Sequence, residues 1–134
     1  MKTYYFTPEN IDVKAHAMQA DFPRGRVKFD IKHSALLILD MQNYFLNADS
    51  HAYIPSAQAI LPRLDALREA YVTLGLPVVW TRHLNTEDDV ASMSRWWRDM
   101  ILRENLLSEI HPALDASQGV VIEKTQYDAF YKTD

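Results

Sequence analysis

Residues 35–45, Ala-Leu-Leu-Ile-Leu-Asp-Met-Gln-Asn-Tyr-Phe, constrain this chain more than any other stretch. Five consecutive apolar residues run into a carboxylate at Asp40. A short unbroken apolar run fits a fully buried strand, and a buried helix segment is the other reading of the same pattern. Read as a strand, it leaves Asp40 at its carboxyl end, where open parallel sheets collect their ligands. Two similar runs follow. Val78-Val79-Trp80-Thr81 ends at Arg82-His83, and Val120-Val121-Ile122, opened by Gly119, ends at Glu123-Lys124. Between the first two, Ile60, Leu64, Leu67, Tyr71 and Leu74 recur at helical spacing, which predicts one apolar helix face. Ser56 is the expected N-cap, Pro62 kinks the first turn or marks a later start, and Gly75 with Pro77 ends the helix. Strand, helix and strand in that order make a βαβ unit with parallel strands. The polar strand ends, Asp40, Arg82-His83 and Glu123-Lys124, are then expected to converge on one sheet edge.

The flanking segments are less ordered in pattern. Thr7-Pro8-Glu9 reads as a helix start, followed by Ile11, Ala15 and Met18 on one modest stripe, with Pro23 and Gly25 ending it. Residues 26–30 alternate polar and apolar, which predicts a short strand or extended arm. Residues 1–32 are therefore expected to form an N-terminal arm, and 33–134 the domain proper. Within 84–118 a helix is expected over 94–107, its apolar mass coming from Trp96, Trp97, Met100, Ile101 and Leu102, until His111-Pro112 interrupts. At 134 residues, 48% hydrophobic and 24% charged, the composition is that of one ordinary globular domain. A net charge of −4 gives no reason to expect nucleic acid or an anionic membrane as a partner. No apolar run approaches the roughly 20 residues that span a bilayer, and the first residues lack a signal-peptide core, so the expected location is cytoplasmic. Cysteine is absent, which removes disulfides, thiolate metal sites and a thiol nucleophile.

The segments ALLILDMQNYFL, PVVWTRH and VVIEKTQYDAFYKTD, in this order and at these separations, resemble the isochorismatase-like (cysteine hydrolase) family across 34–134. The resemblance implies an α/β, Rossmann-like three-layer sandwich with a mostly parallel six-stranded sheet, of which this chain covers about the first three strands. It also implies a small-molecule substrate, a homodimer or homotetramer, and an Asp-Lys-Cys trio in the thiol hydrolases. Asp40 matches the acid and Lys124 the lysine. The cysteine of that trio follows a fourth strand, so the expectation is a hydrolase portion inactive by itself. A small amide, carbamoyl or related substrate is implied, with no cofactor. Vinyl ether hydrolysis, in which the Asp acts as a general acid, is the alternative, although Lys124 is followed by Thr125-Gln126 rather than the Trp-Arg pair of isochorismate-cleaving members. A non-catalytic binding or assembly protein on the same fold is the third reading. The metal cluster of nicotinamidase relatives needs a second histidine after the second strand. Here Arg82-His83-Leu84-Asn85 offers none nearby, so no zinc is expected.

Each candidate has a bland reading beside the sharp one. Asp40 could simply accept loop N–H groups at a strand end, and Lys124 could be a solvated loop lysine. Gln42 is a substrate contact or a turn-stabilising amide, and Phe45 is core or pocket wall. Arg82 and His83 either bind a substrate carboxylate or form a surface pair. Trp97 stacks on substrate or packs in the core or at a subunit interface, and Tyr127 lines the pocket or packs the loop after the third strand.

Overall fold

Three parallel strands form the centre of the computed structural model, in the order β1-β2-β3. The residues described are 2–21, 28–88, 94–95, 97 and 99–133. Strand β1 is Leu36–Leu39, β2 is Val78–His83 and β3 is Val120–Lys124. Leu39 registers with Thr81, Thr81 with Ile122, and His83 with Lys124. Among the described residues three α-helices accompany the sheet: α1 over Ile11–Asp21, α2 over Asn43–Leu46 and α3 over Leu61–Thr73. Helix α3 connects β1 to β2, so the expected βαβ unit is present. Among the described residues no helix is long and apolar enough to cross a membrane.

Alternation along the strands sorts side chains onto two faces. Ile38, Val78 and Trp80 share one face and pack with Leu61, Tyr71 and Leu114 into the core. Fully burying an aliphatic or aromatic side chain of this kind contributes about 1.5–3 kcal/mol. Leu37 and Leu39 point the other way and are 52% and 56% exposed. The fully buried strand expected from the apolar run is therefore corrected: α3 covers one face of β1, and nothing among the described residues covers the other to that extent. Unbroken hydrophobicity identified the strand but could not say that only one face is covered here.

Two helix expectations also change. The buried residues of α3 are Leu61, Arg68 and Tyr71, while Leu67 and Leu74 lie exposed. Arg68 replaces Leu67 beneath the surface because its guanidinium is held by Asp65 at 2.8 Å, leaving its stem to pack. Ser56 does not cap α3. Its hydroxyl accepts the backbone N–H groups of Tyr5 and Phe6, both at 3.1 Å, tying the N-terminal residues to the domain. Pro62 sits in the first turn of α3, where a missing N–H costs nothing. Gly75 has φ of +65°, the left-handed turn expected after the helix. In α1 only Ile11 of the expected stripe is buried, and Met18 is 50% exposed. The break at Pro23 and Gly25 and residues 26–27 lie outside the described residues, and 28–30 form no strand.

The helix expected over 94–107 is absent among its described residues. Ile101 instead exchanges hydrogen bonds with Asn85: its carbonyl accepts the Asn85 N–H at 2.8 Å, and its own N–H donates to Asn85 Oδ1 at 3.0 Å. That pairing takes the backbone groups a helix would need. A single 3-10 turn, Leu106–Ser108, follows. Residues 109–111 are then stitched to 41–43 by the Asn43 N–H to the Glu109 carbonyl at 2.8 Å and the His111 N–H to the Met41 carbonyl at 2.9 Å. Trp96 lies outside the described residues.

Candidate active site

The carboxyl ends of β1, β2 and β3 meet at Asp40, His83 and Lys124. By strand alternation Asp40 should face the core side, with Ile38. It does not, because its φ is +51°, a left-handed conformation that costs most residues energy and that Asp tolerates better than most. This turn aims the carboxylate back over the face that carries Thr81, His83 and Lys124. Lys124 Nζ lies 2.9 Å from Asp40 Oδ2. The Thr81 hydroxyl donates to Asp40 Oδ1 at 2.6 Å and accepts the Asp40 N–H at 3.1 Å. The lysine side chain is 4% exposed and the carboxylate 29%, so the ammonium is the buried partner and the carboxylate keeps a path to the outside. The Gln126 and Tyr127 carbonyls, each at 3.4 Å, take up further Lys124 donor capacity.

A cavity of about 40 Å³ opens beside this pair. Asp40, His83 and Lys124 form its polar wall, and Phe45, Trp97 and Ile101 its apolar one. Asn85, Asp99 and Tyr127 complete the lining. The Trp97 indole donates to the Tyr127 hydroxyl at 3.0 Å, joining two lining aromatics. Tyr44 stacks edge-on against Phe45, with centroids 5.3 Å apart. Its hydroxyl, pushed up to about 12 by burial and by the nearby Asp99 carboxylate, donates to the Asp99 carbonyl at 2.8 Å. Asp99 in turn meets His51 at 3.1 Å. A second, wider hollow of about 460 Å³ also has Asp40 in its lining, with Leu39, Phe45, Ile54 and Ile60 among others.

Of the residues singled out in the sequence, Asp40, Phe45, Trp97, Lys124 and Tyr127 come together around one cavity. Gln42 and Arg82 do not line it. Gln42 is fully buried, and its amide spans two segments: Nε2 donates to the His83 and Ser108 carbonyls at 2.9 and 2.7 Å, while Oε1 accepts the His83 N–H at 2.7 Å. Arg82 precedes His83 by one position on β2 and so points to the opposite face. There it donates to the Ser108 carbonyl and hydroxyl and pairs with Glu109 at 2.6 Å.

The structure adds Thr81, Asn85 and Asp99, which the sequence reading did not place in the site, and of the expected pair Arg82 and His83 it brings only His83 to the cavity. The register Leu39–Thr81 was the signal that could have found Thr81, and the alternation 81, 83 on β2 the one that could have separated His83 from Arg82. His83 is 6% exposed, and burial, together with the Lys124 ammonium, holds its imidazole below the ordinary histidine range. Asp40 and hydrogen bonds with Asn85 and the Gln126 backbone oppose that shift without reversing it. Its Nε2 has no hydrogen-bond partner among the described residues. No three His, Cys, Asp or Glu side chains converge as a metal-binding group among the described residues.

Comparison with known proteins shows what the chain as a whole is similar to. Residues 34–134 match the isochorismatase domain. The chain is 30% identical over 123 residues to the isochorismatase of Bacillus subtilis (strain 168), a match that covers 86% of this chain and 38% of that protein. It is 36% identical over 110 residues to nicotinamidase 3 of Arabidopsis thaliana, covering 76% of this chain and 50% of the relative. Among solved structures, a cysteine hydrolase from Pseudomonas syringae pv. phaseolicola superposes with a TM-score of 0.74 at 24% identity, covering 84% of this chain and 55% of that one. The chain therefore spans about half or less of the length of these relatives. With the domain match covering three quarters of its residues, and the parallel α/β fold shared, this chain belongs to the isochorismatase family, a family of hydrolases.

Proposed function

We propose that this chain supplies the acid–lysine half of a cysteine hydrolase site acting on a small amide or related acyl compound. The observation that carries the reading is the 2.9 Å pair of Asp40 and Lys124, closing β1 and β3 on one cavity. The 134 residues hold no cysteine, so the thiol comes from outside them. A thiol is only a few per cent ionised at neutral pH and needs a base. Asp40, still partly open to the cavity, takes the thiol proton, and Lys124 fixes the carboxylate while its positive charge favours the thiolate. The thiolate adds to the substrate carbonyl, and the C–N bond breaks as the amine leaves with the proton held on Asp40. Water, deprotonated by the same carboxylate, then cleaves the thioester to release a carboxylate and restore the thiol.

The 30% identity with an isochorismatase supports a second reading, in which Asp40 protonates a vinyl ether and no thiol is used. Both readings need Asp40. In the full hydrolase containing this sequence, Asp40→Asn preserves the left-handed turn, which Asn also tolerates, and removes the base. Turnover is expected to fall by at least about 100-fold with the fold intact. Undiminished turnover in that variant overturns the role. Loss of activity on replacing the contributed cysteine separates the thiol reaction from the vinyl ether one.

A further inference from the structure

The mechanism leaves one group in the cavity without a task. His83 is nine-tenths buried, it lines the cavity beside Asp40 and Lys124, and its Nε2 has no hydrogen-bond partner among the described residues. Leaving a buried polar atom unpaired costs about 1–3 kcal/mol, and such atoms in folded proteins commonly mark a ligand or a functional role. The hydrogen bonds of the imidazole with the Asn85 side chain and the Gln126 backbone leave that nitrogen unpartnered. We infer that His83 is a specificity-determining residue, whose Nε2 hydrogen-bonds the uncharged amide-type group of the ligand and favours it over the corresponding carboxylate. This rests on the amide reading above and names how the same site recognises its ligand.

Three observations beyond the unpaired nitrogen point the same way. First, the charges lining the cavity leave no cation for an anionic ligand. Lys124 is paired with Asp40 at 2.9 Å, Asp99 adds negative charge, and Arg82 is engaged on the opposite face. Second, about 40 Å³ holds a group of about three heavy atoms, the size of a carboxamide. Third, the imidazole is held below its ordinary range by burial and by Lys124, so it meets the ligand uncharged at neutral pH. A neutral imidazole offers a carboxylate a single hydrogen bond without charge, whereas the amide loses nothing to the nearby carboxylates. The carboxylate that hydrolysis creates is then the poorer ligand, which favours its release.

The test reads binding and not turnover. The 134-residue chain is labelled with 15N-histidine, and its imidazole resonances are followed by NMR during addition of benzamide and, separately, of benzoate. Benzamide is expected to move the His83 Nε2 resonance saturably, with benzoate about tenfold weaker or more. His83→Leu is expected to weaken benzamide binding about tenfold, and His83→Gln, which restores a polar group, to recover most of it. Absence of saturable benzamide binding overturns the inference, as does binding that leaves the His83 resonances unmoved, or benzoate binding as tight as benzamide. If His83→Leu fails to fold, the wild-type resonances and the His83→Gln affinity still decide. Since no step of chemistry is read, an Asp40→Asn variant that keeps turnover removes the proposed reaction without touching this result. A failed benzamide titration removes the His83 assignment and leaves the reaction standing.

Discussion

Asp40 shows how much one backbone angle decides. With an extended φ the carboxylate faces the core side of the sheet, away from Lys124. At +51° it meets Thr81 and Lys124 instead. His83, one strand over, sets a pH dependence whose sign follows from its burial. The unfolded chain, with the imidazole near the ordinary value of about 6.5, binds the proton before the folded chain does. Stability is therefore fully present above that value and falls as the pH drops through it. His111, also held low by burial, contributes in the same direction. Urea midpoints measured between about pH 7 and pH 5 are expected to decline, and His83→Gln to flatten the decline in part. Parallel curves for variant and wild type would assign the effect elsewhere. Gln42 makes a different residue-scale prediction. Gln42→Leu leaves the His83 N–H without its 2.7 Å acceptor, whereas the Ser108 carbonyl keeps Arg82 as donor. Destabilisation of roughly 2–3 kcal/mol is expected, read as a lower urea midpoint with unchanged slope.

At the scale of elements, β2 is the hinge of the site because both faces of one strand are in use. Trp80 fills the core side, Thr81 and His83 serve the cavity, and Arg82 anchors residues 108–109 on the core side. Strand β3 must approach β2 closely where Trp80 lies, and Gly119 makes that possible. A Cβ there would stand 2.7 Å from Trp80 Nε1 and 2.8 Å from the Val78 carbonyl oxygen, inside any real contact distance. Gly119→Ala is expected to cost about 1–3 kcal/mol by forcing the indole or the strand to shift. A thermal melt matching wild type would show that β3 yields there at no cost.

Across the whole molecule, packing is one-sided. On the sheet face opposite the core, Leu37, Leu39 and Val120 are 52%, 56% and 63% exposed, while Thr81, His83 and Lys124 farther along that face are buried. Contiguous apolar surface of this kind binds hydrophobic dyes. The chain is expected to enhance the fluorescence of 8-anilinonaphthalene-1-sulfonate, and the pair Leu37→Thr and Leu39→Thr, conservative for a strand, to reduce most of that signal without loss of helix by circular dichroism. A signal that survives the pair would place the dye elsewhere, as in the hollow beside Ile54 and Ile60.

By itself the sequence determined the three strands, the intervening helix, the family resemblance, and the two charged residues that close β1 and β3. Those features are local or periodic: an apolar run, a helical spacing, a proline or glycine at an end. The tertiary structure decided what depends on contacts between distant segments. Gln42 is drawn into a bridge between 83 and 108, and Ile101 is pinned by Asn85 in place of a helix. Arg82 and His83 are adjacent in sequence, yet the two-residue period of a strand sends them to opposite faces. Which one meets Asp40 and Lys124 is set by the register of β2 against β3, and no local pattern carries that register.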